Sequence, residues 1–325
     1  MRSVVLSFLR KKILYFSVVL AVILFTGCAA SSSSGVSKGR SAGWAQEIYR
    51  KAIDIASEEE YHPDAPAVGT DEVRNETVYI DYSDISRGLI TAGVDNGEQS
   101  RIKLMITGGG VTYTYSLDPG DSGVFPLTCG DGAYQAVMCR NIGDDRYAII
   151  LSADLMLEIT DEFSPFLCSD RFVDYSSAPV TAALAGLLCD SDGDTLATVK
   201  NVFEFTVDFL SYDEELAANA ESDYRPRTDE VLEKGKGICF DYASLMASML
   251  RCCGIPCKLV VGYAGSVYHA WISVWLEEQG WVENVVFFDG VSWQRMDPTF
   301  TDSAGVDTAS EFAQNDSNYR EKFIY

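Results

Sequence analysis

A thiol, an imidazole and a carboxylate stand in order in the last third of this 325-residue chain. They are Cys239, His269 and Asp297, with 30 residues from cysteine to histidine and 28 from histidine to aspartate. The cysteine lies in Gly235-Lys236-Gly237-Ile238-Cys239-Phe240-Asp241-Tyr242-Ala243, the histidine in Tyr268-His269-Ala270-Trp271 and the aspartate in Arg295-Met296-Asp297-Pro298-Thr299. A thiol that attacks an acyl carbon needs a base to take its proton and a third group to orient that base. One of each is present, and the chain has only two histidines. Taken singly, a cysteine near a helix start reads as a small core residue, and a lone histidine or aspartate as a polar surface residue or turn former. Glycines ahead of the cysteine, aromatic and small neighbours around the histidine, and Asp-Pro closing the unit together favour chemistry over packing.

The elements that must position these groups are legible nearby. Gly235 and Gly237 allow a tight turn before Cys239, and Ala243, Met246, Ala247 and Leu250 form the apolar face of a helix that Gly254 and Pro256 stop. Cys239 is therefore expected at a helix N-terminus, where amide groups and the positive end of the dipole favour a thiolate and lower the thiol pKa. Lys258 to Gly262 reads as a buried strand, Ala270 to Leu276 as an alternating strand that His269 begins, and Trp293 to Met296 as a short third strand that Asp297 ends. The insert from Trp281 to Trp293 is placed to shape a cleft wall. Upstream, Leu196, Val199, Phe203, Val207 and Leu210 recur at helical spacing, one buried stripe on a helix that ends near Ser211-Tyr212-Asp213. The acidic run Asp190-Ser191-Asp192-Gly193-Asp194 suggests a calcium loop, but Thr195 and Asn201 occupy the positions that need glycine and a bidentate acid. It reads instead as a turn that caps the helix.

From about Asn75 to Ile159 the pattern changes to short alternating runs, among them Val78 to Tyr82, Arg101 to Ile106, Val111 to Tyr115 and Tyr147 to Leu151. Turn residues such as Gly108-Gly109-Gly110, Pro119-Gly120-Asp121 and Gly130-Asp131-Gly132 separate them, the signature of an antiparallel sandwich. Asp131 to Val137 with Asn141 to Ile149 resembles the Gly-x-Tyr hairpins of bacterial immunoglobulin-like modules. No catalytic cluster occurs here, so the region reads as a spacer or substrate-docking module.

At the start of the chain, Arg2, Arg10, Lys11 and Lys12 precede an apolar run from Ile13 to Phe25 and then Thr26-Gly27-Cys28-Ala29. This reads as a secretory signal, and the small residue before Cys28 resembles the bacterial lipobox, which makes Cys28 the lipidated first residue after cleavage. The alternative is an uncleaved single-helix anchor; both place the remainder outside the cytoplasm. Ala30 to Arg40, with four serines in a row, reads as a flexible tether, and Trp44 to Tyr61 as one weakly amphipathic helix through Trp44, Ile48, Ala52 and Ile55. Loss of residues 1–27 removes four basic and no acidic residues, moving the formal net charge from −23 to −27. Such a balance argues against nucleic acid as a partner and mildly favours cationic substrates.

Seven cysteines remain beside Cys28 and Cys239: Cys129, Cys139, Cys168, Cys189, Cys252, Cys253 and Cys257. Cys129 with Cys139 is a possible hairpin bridge, but apolar flanks favour unpaired core thiols. A zinc site is disfavoured, because His62 is the one imidazole left and no Cys-x-x-Cys pair occurs, and no cofactor is expected.

Residues from about Phe163 to Phe300 resemble the bacterial transglutaminase-like domain, a papain-type fold with a Cys-His-Asp triad. Val231-Leu232, the Gly235 to Ala243 segment, Arg251 with Gly254-Ile255-Pro256, Gly262-Tyr263, His269-Ala270-Trp271 and Met296-Asp297-Pro298-Thr299 carry the resemblance. It implies Cys239 as nucleophile, His269 as base and acid, and Asp297 as its orienter. Animal transglutaminases use an upstream tryptophan to hold the oxyanion, but no tryptophan lies between Trp44 and Trp271, and Tyr212 is the candidate for a comparable place. The expected fold is α+β, a papain-like transglutaminase core with a helix-borne cysteine packed on an antiparallel sheet, preceded by an immunoglobulin-like β-sandwich. The expected organisation is a signal peptide at 1–27, a lipid-anchored linker at 28–43, a helical or irregular segment at 44–74, the sandwich at 75–160 and the catalytic domain at 161–325. The expected function is thioester-mediated acyl transfer or hydrolysis on a peptide or protein substrate, outside the cytoplasm and tethered to the membrane by the lipid. The alternative is a catalytically silent surface binding or scaffold module.

Overall fold

A computed structural model describes residues 43–58, 69–144, 146–264, 266–282, 286–288, 293–295 and 319–325. Helix α1 (Trp44–Glu58) buries Ala45 and Ala52, two turns apart on one face. Eight antiparallel strands follow: β1 (Glu72–Arg74), β2 (Val78–Asp81), β3 (Leu89–Val94), β4 (Ile102–Gly108), β5 (Val111–Leu117), β6 (Ser122–Pro126), β7 (Gly132–Asn141) and β8 (Tyr147–Leu157). They form two four-stranded sheets in the orders β1-β2-β3-β6 and β5-β4-β7-β8. Alternation sets their faces: Tyr113, Tyr115 and Leu117 of β5 are buried while Thr112 and Thr114 are exposed. Val78, Ile80, Ile90 and Phe125 from one sheet and Leu104, Ile106, Tyr115 and Met138 from the other share one core. The tight β4–β5 turn needs Gly109 and Gly110, whose φ values of 56° and 84° suit glycine. Where the chain crosses from β6 to β7, the Tyr134 hydroxyl accepts the Cys129 N–H at 2.9 Å and donates to the Gly130 carbonyl at 2.8 Å.

The remaining chain is mixed. Helices α2 (Pro179–Leu188) and α3 (Thr195–Phe209), strand β9 (Ser211–Tyr212), helices α4 (Glu214–Asn219) and α5 (Thr228–Lys234) and strand β10 (Lys236–Gly237) lead to α6 (Cys239–Cys252). Strands β11 (Cys257–Ala264), β12 (Val267–Leu276), β13 (Gly280–Val282), β14 (Val286–Phe288), β15 (Trp293–Arg295) and β16 (Tyr319–Ile324) follow. Sheet β13-β12-β11-β16 carries α6, which also packs on α2, α3 and α5. Every residue of α6 from Asp241 to Arg251 is buried, the condition of a helix enclosed on all sides.

Several expectations change in this half. The Asp190 to Asp194 turn caps α3 as expected: Asp194 accepts the Ala197 N–H at 3.1 Å, and Asp190 accepts the Asp192 and Asp194 N–H groups. The buried face of α3, however, runs through Thr198, Val199, Val202, Phe205 and Thr206, leaving Phe203 and Val207 half-buried. Threonine is admitted to that face because the Thr206 hydroxyl donates to the Val202 carbonyl at 2.8 Å, within its own helix. Tyr49 of α1 packs on Phe209 of α3, with ring centroids 4.7 Å apart. Strand β12 begins at Val267, so His269 is its third residue. The short strand at Trp293 pairs with β14, and β11 takes β16 as its other neighbour.

Two of the cysteines also depart from expectation. Cys189 and Cys253, 64 residues apart, form a disulfide. They follow the C-terminal ends of α2 and α6, two helices that pack together, so tertiary packing overrides their apolar flanks. Cys129 and Cys139 are free thiols, because most of extended β7 lies between them, a separation of roughly 25 Å. Reduction of Cys189–Cys253 is expected to cost about 4 kcal/mol from the entropy of a loop this long. Urea denaturation with and without reductant, set against Cys189→Ala/Cys253→Ala, measures it.

The last residues join the two halves. Phe323 and Tyr325 pack against the sandwich core, with the Tyr325 ring 5.5 Å from that of Tyr113 and 4.8 Å from that of Phe172. Leu259 and Tyr325 exchange backbone hydrogen bonds of 2.9 and 2.8 Å, and the Thr128 hydroxyl donates to the Ile324 carbonyl at 2.7 Å.

Candidate active site

Helix α5 ends on Gly235 in the left-handed region, with φ of 63°. The chain then runs as β10 beside β9 in parallel, which sets Gly237 opposite Tyr212. At Gly237 an added Cβ would lie 2.6 Å from the Asp241 Cβ, so glycine is required by close approach. Asp241 closes the turn: one carboxylate oxygen accepts the Ile238 N–H at 2.8 Å and the other accepts the Tyr224 hydroxyl at 2.7 Å. Burial raises its pKa, against the pull of the Ile238 N–H and the Tyr224 hydroxyl. Cys239 follows directly as the first residue of α6.

The thiol meets β12 at Ala270, the residue after His269, whose backbone N–H hydrogen-bonds the sulfur. That contact brings the helix start to the histidine-bearing strand, although the two residues are 30 apart in sequence. Burial pushes the Cys239 thiol above its ordinary value; the amides of Ala270 and Phe240 pull it down, and the Asp241 carboxylate adds to the rise. The expected lowering is thus corrected: the amides at the helix start act in that direction, but burial outweighs them.

His269 pairs across the sheet with Gly262 and is 5 % exposed. Its ring lies 6.3 Å from that of Trp271 on the same side of the strand. Burial pushes its pKa down to about 4, so at neutral pH the imidazole is uncharged and able to accept a proton. Thiol and imidazole are both neutral at rest. Tyr212 is half-buried, and its hydroxyl is pushed up to about 12, by burial first and then by Cys239, Glu214 and Asp241. This places Tyr212 within electrostatic reach of the sulfur. Asp297 and Cys28 lie outside the described residues.

Sequence reasoning assigned no role to Asp241 or Tyr224. An acid three positions past the residue preceding a helix is a legible capping signal, whereas nothing local marks Tyr224 as its partner. Tyr224→Phe is expected to destabilise the protein by about 1–3 kcal/mol, because a buried carboxylate loses a donor. Urea denaturation reads this, and a variant as stable as wild type would remove the pair from the account of the turn.

The chain carries a transglutaminase-like domain: residues 182–298 match the Transglutaminase-like superfamily. Over 68 residues it is 35% identical to a protein-glutamine gamma-glutamyltransferase of Pseudomonas aeruginosa, covering 17% of this chain and 10% of that one. Over 81 residues it is 33% identical to the uncharacterized protein YebA of Bacillus subtilis, covering 18% and 11%. The chain therefore spans about a tenth of the length of the curated relatives it matches. The periplasmic domain of TgpA from Pseudomonas aeruginosa bound to ethylmercury superposes with a TM-score of 0.30 and 19% identity, covering 68% of this chain and 75% of that one.

Proposed function

We propose that the protein is a cysteine acyl-transfer enzyme that uses Cys239 as nucleophile, His269 as base and acid, and Asp297 as the group that orients the imidazole. The observation that carries this reading is the Cys239 thiol at the start of a buried helix, hydrogen-bonded by the backbone next to His269. In the proposed cycle the imidazole takes the thiol proton as the Cys239 Sγ–carbon bond forms, then gives it to the departing amine or ammonia. Water or a second amine resolves the thioester and releases the thiol. Tyr212, beside the turn that leads into Cys239, is the proposed donor to the oxyanion. The family match and the name of the Pseudomonas relative support a choice between hydrolysis and glutamine transamidation, and hydrolysis is favoured because no amine-binding feature is identifiable among the described residues.

The wider setting is proposed on separate grounds. The signal-like N-terminus and the Cys189–Cys253 disulfide support an extracytoplasmic protein, tethered by lipid on Cys28. The two-sheet order and the Tyr134 hydroxyl closing the β6–β7 corner support an immunoglobulin-like sandwich serving as spacer or docking module. A second reading, a surface module without turnover, draws support from the neutral resting state of thiol and imidazole. Ammonia release, amine incorporation and peptide cleavage measured on one substrate panel, with Cys239→Ala as control, separate these readings. Silence across the panel with an intact, reactive thiol favours the surface module.

A further inference from the structure

A row of aromatic and cationic side chains runs across β12, β11 and β16 from Tyr268, the residue before His269, in a protein whose formal net charge is −23. Tyr268 and Ala270 bracket His269 and share one face of β12, about 7 Å apart along the strand. Tyr268 lies opposite Tyr263 of β11, with ring centroids 5.3 Å apart, and Tyr263 lies opposite Arg320 of β16. The Arg320 guanidinium is 4.7 Å from the Tyr263 ring centroid. Lys322 occupies a break in the β11–β16 register, and its ammonium is 5.7 Å from the Tyr268 ring centroid. Residues 320 and 322 are two apart on β16 and so share a face, which lets both reach the tyrosines.

Two features make the row a site. Tyr268 is 52 % and Val267 62 % exposed, so the surface is open beside a buried histidine. Neither Arg320 nor Lys322 forms an ion pair with a carboxylate among the described residues, whereas Arg74, Arg87, Arg101, Arg140, Arg171 and Arg251 do. Cations that spend their charge on ring faces remain open to an anion. Burial above all raises the Tyr268 hydroxyl pKa, with Tyr263 and then the Cys239 sulfur adding to the rise.

We infer that Tyr263, Tyr268, Arg320 and Lys322 form a specificity subsite that receives an acidic side chain of the peptide acyl donor next to the reacting group. This deepens the acyl-transfer reading and rests on it for the identity of the substrate. The overall acidity of the chain repels such a peptide at long range, but fields beyond about 8 Å are screened at physiological salt, so the local cations decide. The expectation of cationic substrates, drawn from net charge, is reversed at this surface.

Paired alkylating agents test the charge without requiring turnover. Iodoacetate and iodoacetamide each alkylate the thiolate with loss of iodide, and they differ in the carboxylate. In the full chain, their rate ratio at Cys239, read by mass spectrometry of the peptide that contains it, should exceed the ratio at a small free thiol by about three- to tenfold. The excess should vanish in Arg320→Ala/Lys322→Ala and at 1 M salt (about 3 Å screening length), and reverse in Arg320→Glu/Lys322→Glu. These residues are exposed, and circular dichroism checks that the variants fold. An unchanged ratio in both double variants overturns the subsite. A peptide panel with acidic, neutral and basic neighbours of the reacting residue completes the test. Turnover without acidic preference overturns the subsite alone. An altered alkylation ratio with no turnover on any peptide overturns the acyl-transfer reading and leaves an anion-binding surface.

Discussion

Cys239→Ala is expected to lower turnover of any accepted acyl donor by at least about 10,000-fold, while leaving the protein folded. Alanine suits the first position of α6, and the bonds that hold the turn, from Asp241 to Ile238 and Tyr224, do not involve the sulfur. The remaining members should fail differently. His269→Ala removes the base and should approach the same loss, yet alkylation of Cys239 should change little, because neither group is charged at rest. The alkylation rate itself should climb with pH beyond the ordinary thiol range, since burial raises the Cys239 pKa. Asp297→Asn should keep roughly 1 part in 100 to 1 part in 10,000 of activity, by the general behaviour of triads. Steady-state kinetics and pH-dependent alkylation followed at Cys239 give these values. Full activity in Asp297→Asn would move the third role elsewhere, with Asp289 and Glu283 the nearest acids upstream in the chain. Fast alkylation at neutral pH that collapses in His269→Ala would instead reveal a preformed ion pair.

Arg251→Met should have the largest effect on stability, about 3–5 kcal/mol. The Arg251 and Asp170 side chains are 0% and 1% exposed and meet at 2.7 Å. The same guanidinium donates to the Cys257 carbonyl at 2.8 Å, the Cys168 carbonyl at 2.9 Å and the backbone oxygen of Tyr325 at 2.7 Å. It thereby ties the end of α6 to β11, to the segment entering the helical half and to the residue that packs into the sandwich core. Removing it leaves a buried carboxylate without its cation and takes a donor from three backbone oxygens, although that of Tyr325 keeps the Leu259 N–H, and desolvation makes that state far costlier than loss of the attraction alone. Arg251→Met/Asp170→Leu, which removes both charges, should recover part of the loss. Urea denaturation of the single and double variants supplies the comparison. A single variant within about 0.5 kcal/mol of wild type would mean that water reaches the site.

Local rules explain what was readable in the residues alone. Gly235, Gly237, Gly254 and Pro256 delimit α6 because backbone freedom and helix termination are properties of a few adjacent positions. The acidic turn at Asp190 to Asp194 and the alternation of Val111 to Tyr115 are local in the same sense, as are the type and order of Cys239 and His269. Long-range packing decided the rest. Threonines line the inner face of α3 because their hydroxyls find partners, Thr206 in the Val202 carbonyl of its own helix and Thr198 in the Asp190 N–H of the preceding turn. Cys189 meets Cys253 because α2 lies along α6, and β16 joins β11 across more than fifty residues. The protonation of the site belongs to this second group. A helix N-terminus by itself favours a thiolate, and an isolated histidine titrates near neutrality. Enclosure of both groups by α6, β12 and their neighbours removes water, and the cost of holding charge there exceeds what nearby amides return, leaving thiol and imidazole neutral.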